Sequence, residues 1–301
     1  MKSVIITGAT GLIGSRISRI LSDSGYTIIV YTRNARRAAD TLPYAHEYVE
    51  WDYDNPRSWQ HTVDGAYAVI NLAGASIGGG RWTDDYKDKI YNSRIRGTGL
   101  LAEAISTCGN PPQAFVSASA VGYYGDGGDR ELTEDAPSGS DFLAKVCRDW
   151  EAAANIASGR TRVVNIRTGI VLHPEEGALA KMITPFKMFI GGPLGSGKQW
   201  FPWIHHEDIA YIYKYAIEND IAGPANATAP YPVRMKEFAD TLGQVIGRPS
   251  SVKTPEFALR LALGESADMV IKGQKAIPQK LLKNGFEYRH PRLEEALGDL
   301  M

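Results

Sequence analysis

The chain has 301 residues, 44% of them hydrophobic, and a formal net charge of −1. That is enough apolar material for one large core or two lobes, and it supplies no basic field to recruit nucleic acid. No apolar run approaches the ~20 residues that a bilayer-spanning helix needs. The only cysteines, Cys108 and Cys147, are far apart and lack metal-type spacing, which excludes a disulfide scaffold. The N-terminus passes straight into an apolar run, leaving no room for a signal peptide, so a soluble cytoplasmic protein without membrane or nucleic-acid partners is expected.

In chain order, Ser3–Thr7 reads as a buried parallel strand, and Gly8-Ala9-Thr10-Gly11-Leu12-Ile13-Gly14 follows it. Ile13, Ile17, Ile20 and Leu21 then fall on one helical face. A strand, a glycine turn and a helix N-terminus together form a cradle for pyrophosphate. Glycine admits the tight turn and the close approach, and the free N–H groups and the helix dipole face the negative charge. Further strands are predicted at residues 27–31, 48–52, 68–72, 114–117 and 163–166, with helices over roughly 84–106 and 142–157. Strands alternating with helices imply βαβ units, and hence an α/β, doubly wound parallel sheet of the Rossmann type.

The final third is richer in Pro and Gly, as in Gly191–Gly195 and Ala229-Pro230-Tyr231-Pro232. Short helices are predicted over about 182–189, 236–246, 255–263, 278–283 and 291–300. The expected division is a dinucleotide-binding domain over 1–172, joined later by about 203–228. A smaller mixed C-terminal lobe, 173–202 and 229–301, would select the substrate.

Charge after the second strand bears on the cofactor. An acidic residue there would accept the ribose 2′-OH of NAD, whereas this chain has Thr32-Arg33-Asn34, with Arg36 and Arg37 close behind. A guanidinium offers paired hydrogen bonds to a 2′-phosphate, so NADP is expected over NAD, with Arg33 as its reader. The alternative for these arginines is a solvated helix start.

With these residues in view, the chain resembles the extended short-chain dehydrogenase/reductase superfamily, and within it the "epimerase family" branch. The markers are the Thr7–Gly14 turn, Asn71-Leu72-Ala73-Gly74, Arg81-Trp82, Ser93-Arg94 and Gly122-Tyr123-Tyr124-Gly125. Trp203-Ile204-His205-His206-Glu207-Asp208, Ala229–Arg234 and Gly264-Glu265-Ser266 complete the set. The resemblance implies that Gly8, Thr10, Gly11, Leu12, Ile13 and Gly14 hold pyrophosphate. It also implies that Asp52 meets adenine, unless it is a turn carboxylate, that Ala73 and Gly74 border a ribose, and that Thr168, Gly169 and Val171 lie near the nicotinamide.

The superfamily couples a Ser to a Tyr-x-x-x-Lys pair, in which Lys lowers the Tyr pKa and Tyr exchanges a proton with substrate. Here Ser117-Ala118-Ser119 follows the fifth strand and Lys145 stands in the helix, but Asp141 occupies the Tyr position. Ser119, Tyr124 and Lys145 are the candidate catalytic residues, and Lys145 is also a candidate for holding the ribose. Tyr123 or Tyr124 reaching the substrate, Asp141 substituting for Tyr, and cofactor binding without turnover all remain open.

Arg167 stands either to meet an anionic or carbonyl substrate or to form an internal ion pair. His205 is a candidate acid/base group and Asp208 a candidate helix cap. Adjacent His205, His206 and Glu207 would not converge on one ion, so no metal is expected. Gly192–Lys198 has P-loop spacing, but Gln199 stands where Ser/Thr must ligate Mg²⁺ and no strand precedes it, so ATP binding is rejected. Lys198 and Trp200 are then expected on a substrate-side loop. The resulting expectation is an NADP-dependent oxidoreductase or epimerase-like enzyme for a small carbonyl or hydroxyl compound. The alternatives are an NADP-sensing binding protein and an NAD-dependent nucleotide-sugar epimerase. Homodimerisation through two helices on a sheet face is an analogy from the superfamily.

Overall fold

Seven strands rich in β-branched and small apolar residues form one parallel sheet in the computed structural model, which describes residues 2–301. They are β1 (Ser3–Thr7), β2 (Thr27–Thr32), β3 (Glu47–Glu50), β4 (Ala68–Asn71), β5 (Ala114–Ala120), β6 (Arg162–Thr168) and β7 (Gly223–Ala227). Their spatial order is β7-β6-β5-β4-β1-β2-β3, with every pairing parallel. The order reverses between β1 and β4, and ligands of such sheets bind in the crevice at that switch point, beyond the strands' carboxyl ends.

The two-residue side-chain period divides each strand between the sheet's faces. Val4 and Ile6, Ile28 and Val30, Ala68 and Ile70, and Ala114 and Val116 all join one core cluster. Their alternates Ile5, Ile29, Tyr31, Val69 and Phe115 join the other. The first face is covered by α1 (Leu12–Asp23) and α6 (His206–Glu218), which pack against each other. The second is covered by α3 (Asp84–Thr107), with α4 (Phe142–Asn155) packed beside it.

Helix starts follow side-chain chemistry. Thr83 Oγ1 accepts the N–H of Tyr86 to cap α3, and Asp84 and Asp85 complement its dipole. Asp141 caps α4 by accepting the N–H of Ala144 at 2.9 Å. A third cluster belongs to the C-terminal part, where α5 (Gly177–Lys187), α7 (Met235–Val245) and the last helix, Leu293–Leu300, bury Leu179, Ile183, Phe186, Phe238, Leu242 and Leu297. The remaining helix of any length, α8 (Glu256–Leu263), leaves Phe257 and Leu261 exposed.

Several elements are not among the predicted strands and helices, including the helix after β2, the edge strand β7 and the short strands Ile170–Leu172 and Trp203–His205. Helix α2 (Ala35–Thr41) buries only Ala38, so it shows no apolar period. Strand β7, Gly-Pro-Ala-Asn-Ala, lacks β-branched residues and is a strand through its pairing with β6 at the sheet edge. One element is displaced: α5 begins at Gly177 rather than near 182, because Leu179, Ile183 and Phe186 form its buried stripe. No helix among the described residues is long and apolar enough to cross a membrane.

Candidate functional site

The switch point is tied shut below its surface by buried polar groups. Thr7 Oγ1 donates to Asn71 Oδ1 at 2.7 Å and accepts the N–H groups of Leu72 and Ala73 at 3.0 and 3.2 Å. Asn71 Nδ2 donates to Thr98 Oγ1 on α3 at 2.7 Å, and the Trp150 indole of α4 donates to the same hydroxyl at 2.8 Å. These bonds join the ends of β1 and β4 to both helices of the second face, which gives the crevice a rigid floor.

Above that floor lies the glycine turn. Gly8 has φ +66°, and a Cβ there would stand 3.0 Å from the Leu72 carbonyl carbon. A Cβ on Gly14 would lie 2.3 Å from the Gly8 oxygen, so only glycine lets α1 start this close to β1. Gly11 is the N-cap of α1 and has no side chain to cap it, and the first turn holds no acidic residue. The helix therefore presents free backbone donors and the positive end of its dipole to solvent. Thr10 and Gly11 are exposed, Leu12 and Ile13 half-buried. These residues fit the pyrophosphate of a dinucleotide.

Arg33 stands exposed just past β2, close to the Tyr53 phenol, which Arg96 also approaches. Arg96 is paired with Asp54, whereas Arg33 has no side-chain partner among the described residues. Asp52 is exposed, and its Oδ1 accepts the Asp54 N–H at 2.8 Å, as a turn carboxylate does. Gly74 is exposed at the end of β4 beside half-buried Ala73. Thr168 ends β6, and Gly169 is pressed against Pro202, where a Cβ would stand 2.2 Å from the Pro202 oxygen.

The residues expected to do chemistry separate into two groups. Ser119 and Tyr124 join one buried network, and Lys145 lies outside it. Ser119 Oγ donates to Glu151 Oε1 at 2.7 Å, and Glu151 makes a two-bond ion pair with Arg167, both bonds 2.8 Å. Arg167 Nη1 also donates to the Tyr124 hydroxyl at 2.9 Å, and that hydroxyl donates to Asn226 Oδ1 of β7 at 2.7 Å. The Tyr123 ring stacks on the Arg167 guanidinium at 3.5 Å.

Burial pushes the Tyr124 phenol up to about 12 despite the opposing Arg167 charge. Burial works against the Arg167 charge too, but the Glu151 hydrogen bonds and charge outweigh it and hold Arg167 above its ordinary value. Of the two readings of Arg167, the internal ion pair is the one observed. Lys145 is exposed and paired with Asp149 one turn on, near the Tyr91 hydroxyl of α3. The Asp149 hydrogen bond raises the lysine pKa, burial and other charges being lesser influences. Asp141, at the Tyr position, is spent as the cap of α4.

His205 is fully buried rather than facing the crevice. Its Nδ1 accepts the Glu207 N–H and so caps α6, the role expected of Asp208. Asp208 instead accepts the N–H groups of Arg289 and His290, tethering the C-terminal segment to the sheet layer, because its carboxylate points to a neighbour brought in by tertiary structure. His205, His290 and Asp299 bring ligand-type atoms within 4.8 Å of one another. Sequence adjacency could not reveal this group, since two of its members come from the last dozen residues. The bond that Nδ1 of His205 accepts places the proton of the neutral ring on Nε2, beside Asp299 at 3.3 Å, so that lone pair is not offered to a metal.

Residues 192–198 form a turn after α5, held by the Gly195 N–H to Thr254 carbonyl bond, and no strand precedes it. Trp200 is held between Asp129, which accepts its indole N–H at 2.9 Å, and the Arg234 guanidinium over its ring at 4.4 Å. Sequence reading assigned no role to Arg94, although Ser93-Arg94 stood out as a marker. Ser93 Oγ accepts the Ala75 N–H at 2.9 Å, holding the loop after β4 to α3.

Comparison with known proteins agrees with this architecture. Residues 4–228 match the model of the NAD dependent epimerase/dehydratase family, and residues 254–300 match a domain of unknown function, DUF1731. The chain is 42% identical over 302 residues to the chloroplastic epimerase family protein SDR39U1 homolog of Arabidopsis thaliana, covering 99% of this chain and 86% of that one. It is 40% identical over 304 residues to epimerase family protein YfhF of Bacillus subtilis, covering 99% and 98%. Among solved structures it is similar to human epimerase family protein SDR39U1 (isoform 2) with NADPH, at 34% identity and a TM-score of 0.90, over 99% of this chain and 98% of that one.

Proposed function

We propose a function from one premise: the chain belongs to the NAD-dependent epimerase/dehydratase family. It binds NADP(H) across the switch point and acts as an oxidoreductase or epimerase-like enzyme on a small carbonyl or hydroxyl compound. The observation that carries this reading is the uncapped first turn of α1 above Gly8 and Gly14, with exposed Arg33 at the end of β2. The human relative solved with NADPH supports the choice of cofactor.

Gly8, Thr10, Gly11, Leu12, Ile13 and Gly14 would hold the pyrophosphate, Arg33 the 2′-phosphate, and Ala73 and Gly74 a ribose. Thr168 and Gly169 would border the nicotinamide, with Asp52 at the adenine end. When bound, the nicotinamide supplies or accepts a hydride at C4, and a proton must move at the substrate oxygen. Ser119 and Tyr124 are closed into the Glu151–Arg167 network, and we assign them to positioning that edge of the crevice. Lys145, solvent-exposed, remains the candidate for the ribose. Residues 173–202 and 229–301 form the lobe that we assign to substrate selection.

The test is a pair of fluorescence titrations, NADPH against NADH, followed by NADPH consumption over a panel of aldehydes and ketones. Preferential NADPH binding with turnover of any carbonyl supports the enzyme. Equal or absent binding of both nucleotides sinks the cofactor assignment. A second reading, a binding protein that senses NADP(H), is favoured by one observation: Asp141 is committed as a helix cap and Tyr124 is buried, which leaves no Tyr-Lys pair. Tight NADPH binding with silence over the whole panel selects it.

A further inference from the structure

Two arginines lie behind the carboxyl edge of the sheet, and they differ in how their donors are used. Arg167 has each of its nitrogens bonded, to Glu151, Tyr124 and the Glu134 carbonyl. Arg94, on α3, makes one hydrogen bond, from Nη1 to the Ile90 carbonyl of its own helix at 3.0 Å. It faces the Trp150 ring at 5.1 Å, and the groups that bear on its charge are Cys147 and Tyr86 rather than any carboxylate. Burial lowers its pKa from the ordinary arginine value. A guanidinium has five N–H donors, and removing its charge from water without an anion is costly. The charge is not sealed in, however. The guanidinium lies directly under Gly74, where a Cβ would stand 3.0 Å from Cζ and 3.2 Å from Nη2, and Gly74 itself is exposed at the crevice.

We propose that Arg94 is an anion-binding residue of the crevice, receiving a pair of anionic oxygens, carboxylate or phosphate, that enters past Gly74. Trp150 lies against the guanidinium, with its ring centroid 5.1 Å away, and the bond to the Ile90 carbonyl anchors one end of the guanidinium. The absence of a side chain at Gly74 leaves the fork reachable. The remaining donors match two oxygens of one group, which a lysine ammonium would not. The anion belongs either to the dinucleotide or to the substrate. The inference rests on the proposed cofactor site for its location, and the experiment separates the two.

The intact chain is titrated with NADPH, and the NADPH-saturated protein is titrated with malonate as the carboxylate probe, for wild type, Arg94→Gln and Arg94→Lys. Gln keeps a planar, uncharged polar end but is shorter than Arg, so melting temperatures confirm folding. A tenfold or greater loss of NADPH affinity in Arg94→Gln, not restored by Lys, assigns the anion to the dinucleotide. A comparable loss confined to malonate assigns it to the substrate. Unchanged affinity for both overturns the proposal. Labelling of wild type by phenylglyoxal, mapped by mass spectrometry, gives the same decision without a variant. Protection of Arg94 by NADPH or by malonate is expected, and labelling indifferent to both overturns it. If wild type itself ignores NADPH, the proposed function fails, while protection by malonate alone would still decide the role of Arg94.

Discussion

The turn at Gly8–Gly14 and the Ser119–Glu151–Arg167–Tyr124 network lie on the same edge of one sheet and are built in opposite ways. In the turn, backbone donors are left without partners, and two glycines let α1 and the loop after β4 approach the end of β1 more closely than any side chain would allow. In the network each acceptor meets a donor, down to Asn226, whose Nδ2 donates to the Leu132 and Ile277 carbonyls. Unmet hydrogen-bonding capacity beside solvent is what a ligand satisfies; satisfied capacity is what holds a structure together. By that criterion we assign the cradle, Arg33 and Arg94 to binding, and the serine–tyrosine pair to the scaffold.

The strongest way to break this comparison is Arg167→Ala. It leaves Glu151 charged and buried without its partner, so a loss of about 3–5 kcal/mol is expected in denaturant unfolding. NADPH affinity of the folded protein should stay near wild type. Full stability combined with lost binding would move the network into the ligand site. Next comes Gly14→Ala, whose Cβ would meet the Gly8 oxygen at 2.3 Å. Displacing α1 should weaken NADPH binding by roughly a hundredfold, about 2.7 kcal/mol, and an unchanged titration would refute the cradle.

Acid stability tests a second closed region. Burial and neighbouring charges hold His205 down at about 3 and His206 at about 4, from an ordinary value of 6.5. Between pH 6.5 and about 4 the unfolded chain therefore binds protons that the folded one refuses, and stability falls as pH falls. The slope is up to about 1.4 kcal/mol per pH unit for each histidine. His205→Asn should flatten it, and a pH-independent wild-type melting temperature over that range would contradict the burial argument. Arg33→Asp should cost NADPH about tenfold and spare NADH, and parallel titrations giving equal losses would remove Arg33 from the 2′-phosphate. Smallest of all, Lys145→Ala breaks an exposed pair one turn apart on a helix, worth about 0.3–0.5 kcal/mol. An NADPH affinity reduced beyond a few-fold would show that the lysine leaves Asp149 for the ribose.

Most of the sheet was readable along the chain because buried parallel strands are continuous Val/Ile runs and the helices between them repeat at 3.6 residues. The β1 turn was readable for the same reason, since its strand, glycines and helix are contiguous. Strand β7 was not, because its identity comes from an edge pairing with β6 and not from its own residues. Asp208 was read as a cap by position, and its partners, 81 and 82 residues away, were invisible from there.

By itself the sequence determined the parallel α/β sheet, the glycine cradle and the arginine after the second strand; the missing tyrosine before Lys145 was legible only through the family resemblance. The first three are local facts, settled by residue type and spacing within one βαβ unit. Only the tertiary structure decided that Arg167 is spent on Glu151, that Tyr124 ends on Asn226 and that Arg94 is left with open donors beneath Gly74. Whether a polar side chain has a partner depends on groups 16, 102 or more residues away. Chain folding sets that proximity, and no local pattern encodes it.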